Sequence, residues 1–122
     1  MDNVYSQTFK VKREDCISTL DSSLPDLLGT YTLVKWMEIV SAKNINQHLD
    51  EKHISVGEKL SIEHSGMVKN NASVQIMSVI QAQNNRNVSF IVEAKSDNKV
   101  VAKAEHHRVL VPKKLIDRLF RK

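Results

Sequence analysis

The sequence predicts an α+β fold in which an antiparallel sheet of about five strands wraps around one long buried helix. Three observations lead there. Residues 4 to 12 alternate between apolar and polar, residues 30 to 48 carry a helix apolar on almost every side, and from residue 56 onward alternation returns in segments separated by turn signals. A chain of 122 residues holds this as one domain, 1–122, long enough to bury a core and too short to split in two.

The first strand sets Tyr5, Gln7, Phe9 and Val11 on one side and Ser6, Thr8, Lys10 and Lys12 on the other. A polar connection follows and ends in Asp21-Ser22-Ser23-Leu24-Pro25-Asp26, where proline and the Ser/Asp cluster stop regular structure. Thr30 opens the helix as an N-cap or first-turn residue, and Asn44, Asn46 and Gln47 mark its polar end. Residues 58 to 69 then place Leu60, Ile62, His64, Gly66 and Val68 on one face. Asn70-Asn71 is a turn, because Asn tolerates positive φ. Strands over 73–83, 88–95 and 100–111 follow, separated by Asn84-Asn85-Arg86-Asn87 and Ser96-Asp97-Asn98-Lys99, and Pro112 stops the last. The four later strands read as a meander. Strands wrapped on one helix leave an edge free for a second copy, so a homodimer is expected.

The tail, 112–122, spaces Leu115, Ile116, Leu119 and Phe120 helically between basic residues and reads as a short docking helix. A membrane-surface helix and a clamp on coenzyme A phosphates are the alternatives, and its shortness argues against stable membrane association. A formal charge of +4 with scattered basic residues elsewhere, and 5% aromatics, point away from nucleic acid. One cysteine, Cys16, excludes an intramolecular disulfide, and with no signal-like N-terminus and no membrane-length apolar run the expected location is cytoplasmic. Glu14 and Asp15 beside Cys16 argue against a reactive thiol. His48, His53, His64, His106 and His107 have no metal-ligand spacing, so no metal is expected.

Glu38 is the anomaly. A carboxylate in an apolar helix is costly unless paired, protonated or used, and burial raises its pKa toward that of a working base. Lys35, one turn earlier, is the simple structural partner. Thr30, equally, is a helix cap wherever local sequence alone decides, and an inward His64 is ordinarily a satisfied core histidine.

Four separated segments change that balance. They are Leu24-Pro25-x-Leu27-Leu28-x-Thr30 leading into Leu33-Val34-x-Trp36-Met37-Glu38, then Val56-Gly57, then His64 seven residues after Gly57, and finally His106-x-Arg108 before Val109-Leu110-Val111. Together they resemble the hotdog-fold thioesterases typified by fluoroacetyl-CoA thioesterase, over about residues 4 to 112. The resemblance implies a catalytic set of Thr30, Glu38 and His64. It implies Gly57 beside the acyl thioester, with His106 and Arg108 as supporting, substrate-binding positions. It needs no cofactor, since coenzyme A is part of the substrate. One departure stands out: the family follows its histidine with a Pro-Thr-Pro-like turn, and here Ser65-Gly66-Met67 follows His64.

The chemistry agrees. Thioester hydrolysis needs a base, an activated water or nucleophile, and donors for the developing oxyanion. Glu38 suits the first role, His64 relays a proton or polarises water, and free amides at the helix N-terminus near Thr30 suit the last. Eight helical residues rise about 12 Å, so Thr30 meets Glu38 only through a bent helix entry or across two subunits. The expected function is an acyl-CoA thioesterase acting on acyl-CoA. The alternatives are a non-catalytic acyl-CoA-binding module and, less well matched for want of a His/Asp pair, a dehydratase. Trp36, Met37, Ile62 and Met67 are expected to shape the acyl pocket, and nothing in the residues points to a halogenated acyl group.

Overall fold

The computed structural model describes residues 3–121; Met1, Asp2 and Lys122, the outermost residues of the predicted domain and tail, lie outside the described residues. Strand β1 (Val4–Lys10) is followed by two short 3-10 turns, helix α1 (Thr30–Asn46), strands β2 (His53–His64), β3 (Ser73–Asn84), β4 (Asn87–Ser96) and β5 (Lys99–Pro112), and helix α2 (Lys113–Phe120). All five strands form one antiparallel sheet in the order β1-β3-β4-β5-β2. The α+β expectation of a sheet around a long helix therefore holds.

Helix α1 buries a stripe rather than its whole circumference. Leu33, Trp36, Met37, Val40, Ser41, Asn44 and Ile45 face the sheet, whereas Tyr31, Lys35 and Lys43 are exposed. That stripe has the i, i+3, i+4 spacing of an amphipathic helix. It meets Val74, Ile76, Phe90, Val92 and Ala102 on the concave face, and the Trp36 ring stacks on Phe9 of β1 at 4.6 Å. Polar ties fix the helix along its axis: Ser41 and Ser78 share a hydroxyl hydrogen bond of 3.0 Å, and Asn44 Nδ2 donates to the carbonyls of Asn3 and Ser78. The apolar surface on the far side of α1 is thus partly open, contrary to the all-round burial that composition suggests.

The meander is shorter than expected. Strands β3, β4 and β5 follow one another across tight turns, with Asn85, Asp97 and Asn98 at positive φ. Strand β2 instead pairs with β5 at the sheet edge, and no β2–β3 hairpin forms at Asn70-Asn71. Residues 65 to 72 cross from one edge toward the other, so β2 ends at His64, and Gly66 and Val68 belong to the crossing segment. Asn71, at φ 76°, turns the chain into β3. The crossing passes the start of α1, where Leu28 N–H donates to the Val68 carbonyl at 2.7 Å and Leu27 bridges to Lys69.

The connection before α1 is also ordered more than its polarity suggests. Cys16 bridges to Leu28, Ile17 N–H donates to the Leu27 carbonyl, and Cys16 and Leu28 are buried. Burial, with Asp26 and Asp15 adding to it, pushes the Cys16 thiol pKa up, the direction of an unreactive cysteine.

Met37 sits fully buried at the middle of the α1 stripe. Met37→Ala is expected to cost about 2–5 kcal/mol. In urea unfolding the midpoint falls while the slope stays that of the wild type.

Candidate functional site

Two polar clusters stand on the inner side of β2 and α1. The first lies at the helix entry. Gly29 is the N-cap and Thr30 the first helical residue, so the Thr30 side chain is free of capping. Its Oγ1 shares a hydrogen bond of 2.7 Å with His64 Nδ1. The other ring nitrogen, His64 Nε2, is buried and has no hydrogen-bond partner among the described residues. Ile17, Leu27, Leu28, Ser65, Gly66 and Met67 complete a cavity of about 290 Å³ around the pair. Gly66 is required there because a Cβ would press on Val101, whose carbonyl accepts from the Ser65 and Gly66 amides. That turn stands where the resemblance implies a proline turn, and it leaves Met67 82% exposed at the cavity rim.

The second cluster centres on Arg108, buried in β5 opposite Gly57. Its Nε donates to Ser55 Oγ at 2.9 Å, Nη2 to the Ser55 carbonyl at 3.1 Å and Nη1 to His106 Nε2 at 3.1 Å. Glu38 Oε1 lies 3.6 Å from Nη1. Arginine only donates, so His106 Nε2 is an acceptor and its Nδ1–H donates to the Lys59 carbonyl at 2.8 Å. His106 is therefore a neutral imidazole. Burial is the main cause that lowers its pKa; Arg108 and His107 act the same way, whereas the Lys59 hydrogen bond and Glu38 oppose it. Burial likewise lowers the Arg108 pKa, against Glu38.

A Cβ at Gly57 would displace the Glu38 carboxylate from its present position. Glycine lets the carboxylate lie against the strand backbone. Glu38 nonetheless keeps 46% of its side-chain surface exposed and pairs with Arg108, not Lys35. The desolvated carboxylate expected from the apolar helix is not what the single chain contains.

Spacing alone misplaces Gly57 relative to His64. Seven residues is an odd interval, which in a regular strand puts two side chains on opposite faces. A bulge between Gly57 and Lys59 shifts the phase, so Gly57 faces Glu38 while His64 faces Thr30. Within one chain the structure joins Thr30 with His64, and Glu38 with Gly57, Arg108 and His106. It does not join the two groups, because α1 runs unbroken from Thr30 through Glu38, a rise of about 12 Å. The bent helix entry is thereby excluded. Ser55 is a site residue that sequence reading missed; its position two residues before Gly57, on the same face, is the available signal. Trp36 and Met37, expected in the pocket, are core residues instead, and only Met67 of the expected four lines the Thr30–His64 cavity.

The profile of the fluoroacetyl-CoA-specific thioesterase family matches residues 11–114. The chain belongs to that family. No curated protein matches its sequence. Among solved structures this thioesterase family member is similar to a Thermus thermophilus thioesterase superfamily protein, at 20% identity over 99% of this chain and 90% of the other, with a TM-score of 0.91. A hot-dog-like protein from Thermanaerovibrio acidaminovorans matches at 17% identity over 97% and 87% of the two chains, TM-score 0.89. The fluoroacetyl-CoA thioesterase itself matches at 16% identity over 100% and 96%, TM-score 0.87. These likenesses establish the hotdog fold.

The neutral, buried His106 predicts a pH dependence. The unfolded chain protonates this histidine near the ordinary value of 6.5, and the folded chain only at lower pH. The unfolded state then binds more protons, so the contribution is complete above about pH 6.5 and declines as pH falls below it. His106→Gln removes this decline: the stability gap between wild type and variant, measured by urea unfolding, narrows from pH 7.5 to pH 5. A gap that does not vary with pH contradicts the assignment.

Proposed function

We propose that this chain is an acyl-CoA thioesterase whose active site is completed by a second copy of itself. The observation that carries this reading is the 2.7 Å Thr30–His64 hydrogen bond, set in an apolar cavity with a buried, unpartnered His64 Nε2. An imidazole nitrogen sealed from bulk water without a partner is costly unless a ligand or substrate supplies one. The family's description, and a solved variant of the fluoroacetyl-CoA thioesterase in complex with acetyl-CoA, favour a coenzyme A thioester as that substrate.

The second copy follows from strand order. Strand β2 is a sheet edge carrying both His64 and Gly57. Antiparallel β2–β2 pairing about a two-fold axis at Ser61, with Glu58 taken up by the bulge between Gly57 and Lys59, sets His64 of one copy opposite Gly57 of the other. Glu38, held against Gly57, then faces the Thr30–His64 pair of the neighbouring copy and becomes buried there. The distance that a single helix imposes is removed.

In this arrangement the acyl group occupies the cavity walled by Ile17, Leu27, Leu28 and Met67, which suits an apolar acyl chain. Thr30 and the first amides of α1 face the carbonyl oxygen as charge develops on it. Glu38 of the partner subunit accepts a proton from the attacking water. The C–S bond breaks, and the proton that Glu38 accepted passes through His64 to the departing sulfur, so coenzyme A leaves as a thiol, the acyl group as the acid, and both side chains return to their starting states. Arg108 keeps a fixed positive charge beside Glu38, and Ser55 and His106 hold Arg108 in place.

Thiol release from a panel of acyl-CoA esters tests this. Thr30→Ala, Glu38→Gln and His64→Ala are each expected to lower kcat/KM by about 10²–10⁴-fold without loss of fold. Unchanged turnover in all three overturns the site. Binding of acyl-CoA without turnover of any ester supports the non-catalytic acyl-CoA module instead.

A further inference from the structure

Helix α2 is sharply two-sided. Leu115, Ile116, Leu119 and Phe120 form one face, of which Leu115 and Ile116 are half-buried. Lys113, Lys114, Arg118 and Arg121 are exposed around the rest, with Asp117 the one acidic residue among them. None of these four cations makes an ion pair among the described residues.

Residues 113–122 hold five of the 18 basic residues and one of the 14 acidic ones, leaving 13 of each in 1–112. The whole +4 formal charge therefore belongs to this segment, and the rest of the chain is balanced.

Its position is equally specific. Strand β5 carries His106 and Arg108, and α2 begins directly after Pro112, tied to the start of β2 by Lys113 N–H donating to the Lys52 carbonyl. Four extended residues separate Arg108 from Lys113, and the five steps span about 16 Å. Coenzyme A likewise holds its phosphates far from the thioester, at the other end of a flexible pantetheine arm.

We propose that the basic face of α2, through Lys114, Arg118 and Arg121, binds the phosphate groups at the nucleotide end of coenzyme A. This rests on the thioesterase reading. Arginine offers forked donors to phosphate oxygens and lysine a point charge, and an exposed helix face admits both without desolvating them fully. The contact lies remote from the reacting carbon, so it contributes equally to ground state and transition state and appears in KM.

The test compares an acyl-CoA ester with the N-acetylcysteamine thioester of the same acyl group, which lacks phosphate. The double variant Lys114→Glu with Arg118→Glu is expected to raise KM for the CoA ester about tenfold or more with kcat near the wild-type value. Its kcat/KM on the N-acetylcysteamine ester stays that of the wild type. An unchanged KM for the CoA ester, or an equal loss on both esters, overturns the proposal. A second arm needs no turnover: adenosine 3′,5′-bisphosphate is titrated into wild-type protein while the backbone amide NMR signals of α2 are followed. Saturable shifts that weaken with salt and vanish in the double variant support the site, and no shift overturns it. Failure of the wild type to hydrolyse any thioester sinks the catalytic reading alone, because the titration still decides what α2 binds.

Discussion

Seating of the α1 stripe in the concave face of the sheet is the constraint from which the remaining geometry follows. Leu33, Trp36, Met37 and Val40 leave the helix no freedom to rotate, since turning it would expose them and bury Lys35 or Lys43. Ser41 and Asn44 add polar contacts that fix its position along its own axis. With the helix set in this way, Thr30 and Glu38 emerge at the two ends of one edge of the stripe, each against a different part of β2. The stripe thus separates the two polar clusters as firmly as it holds them in place.

Strand β2 carries a residue of each cluster, and in the proposed dimer the two clusters become complementary half-sites. Its bulge brings Gly57 and His64 to one face although their spacing is odd, and its edge position leaves a row of backbone groups for a partner. The Arg108 network stiffens the Glu38 cluster: the Ser55 hydroxyl, the Ser55 carbonyl and His106 Nε2 accept from the guanidinium, and His106 in turn donates to the Lys59 carbonyl. The Thr30–His64 half is stiffened by the seam of residues 16–17, 27–28 and 68–69 that passes beside it. Contacts within the chain therefore hold both clusters in place, through side chains and backbone around Arg108 and through the backbone seam beside Thr30 and His64.

Much of the fold was legible because period is a local property. The alternation of Tyr5, Phe9, Val74 and Ile76, the helix from Thr30, and the Asn-rich turns all follow from neighbouring residues. The place of β2 in the sheet was not legible, because pairing β2 with β5 is a choice between two edges of similar apolar content. The bulge after Gly57 was hidden for a related reason: Val56-Gly57-Glu58-Lys59 has no alternation in which a phase change could show. Glu38 stood out in the sequence as a carboxylate in an apolar helix, but its partner lies in β5, and only the Gly57–Arg108 register connects them. The inward placement of His64 was legible from its alternation with Leu60 and Ile62, whereas the Thr30 contact depends on where α1 begins.

The central claim is that one active site needs two copies of the chain. Subunit complementation tests it most directly: His64→Ala and Glu38→Gln variants, each prepared alone, are mixed, exchanged and assayed for thiol release. A composite site predicts that the mixture regains activity, since each mixed dimer holds one site with His64 from one subunit and Glu38 from the other. Demonstrated subunit exchange with no gain over the separate variants contradicts it.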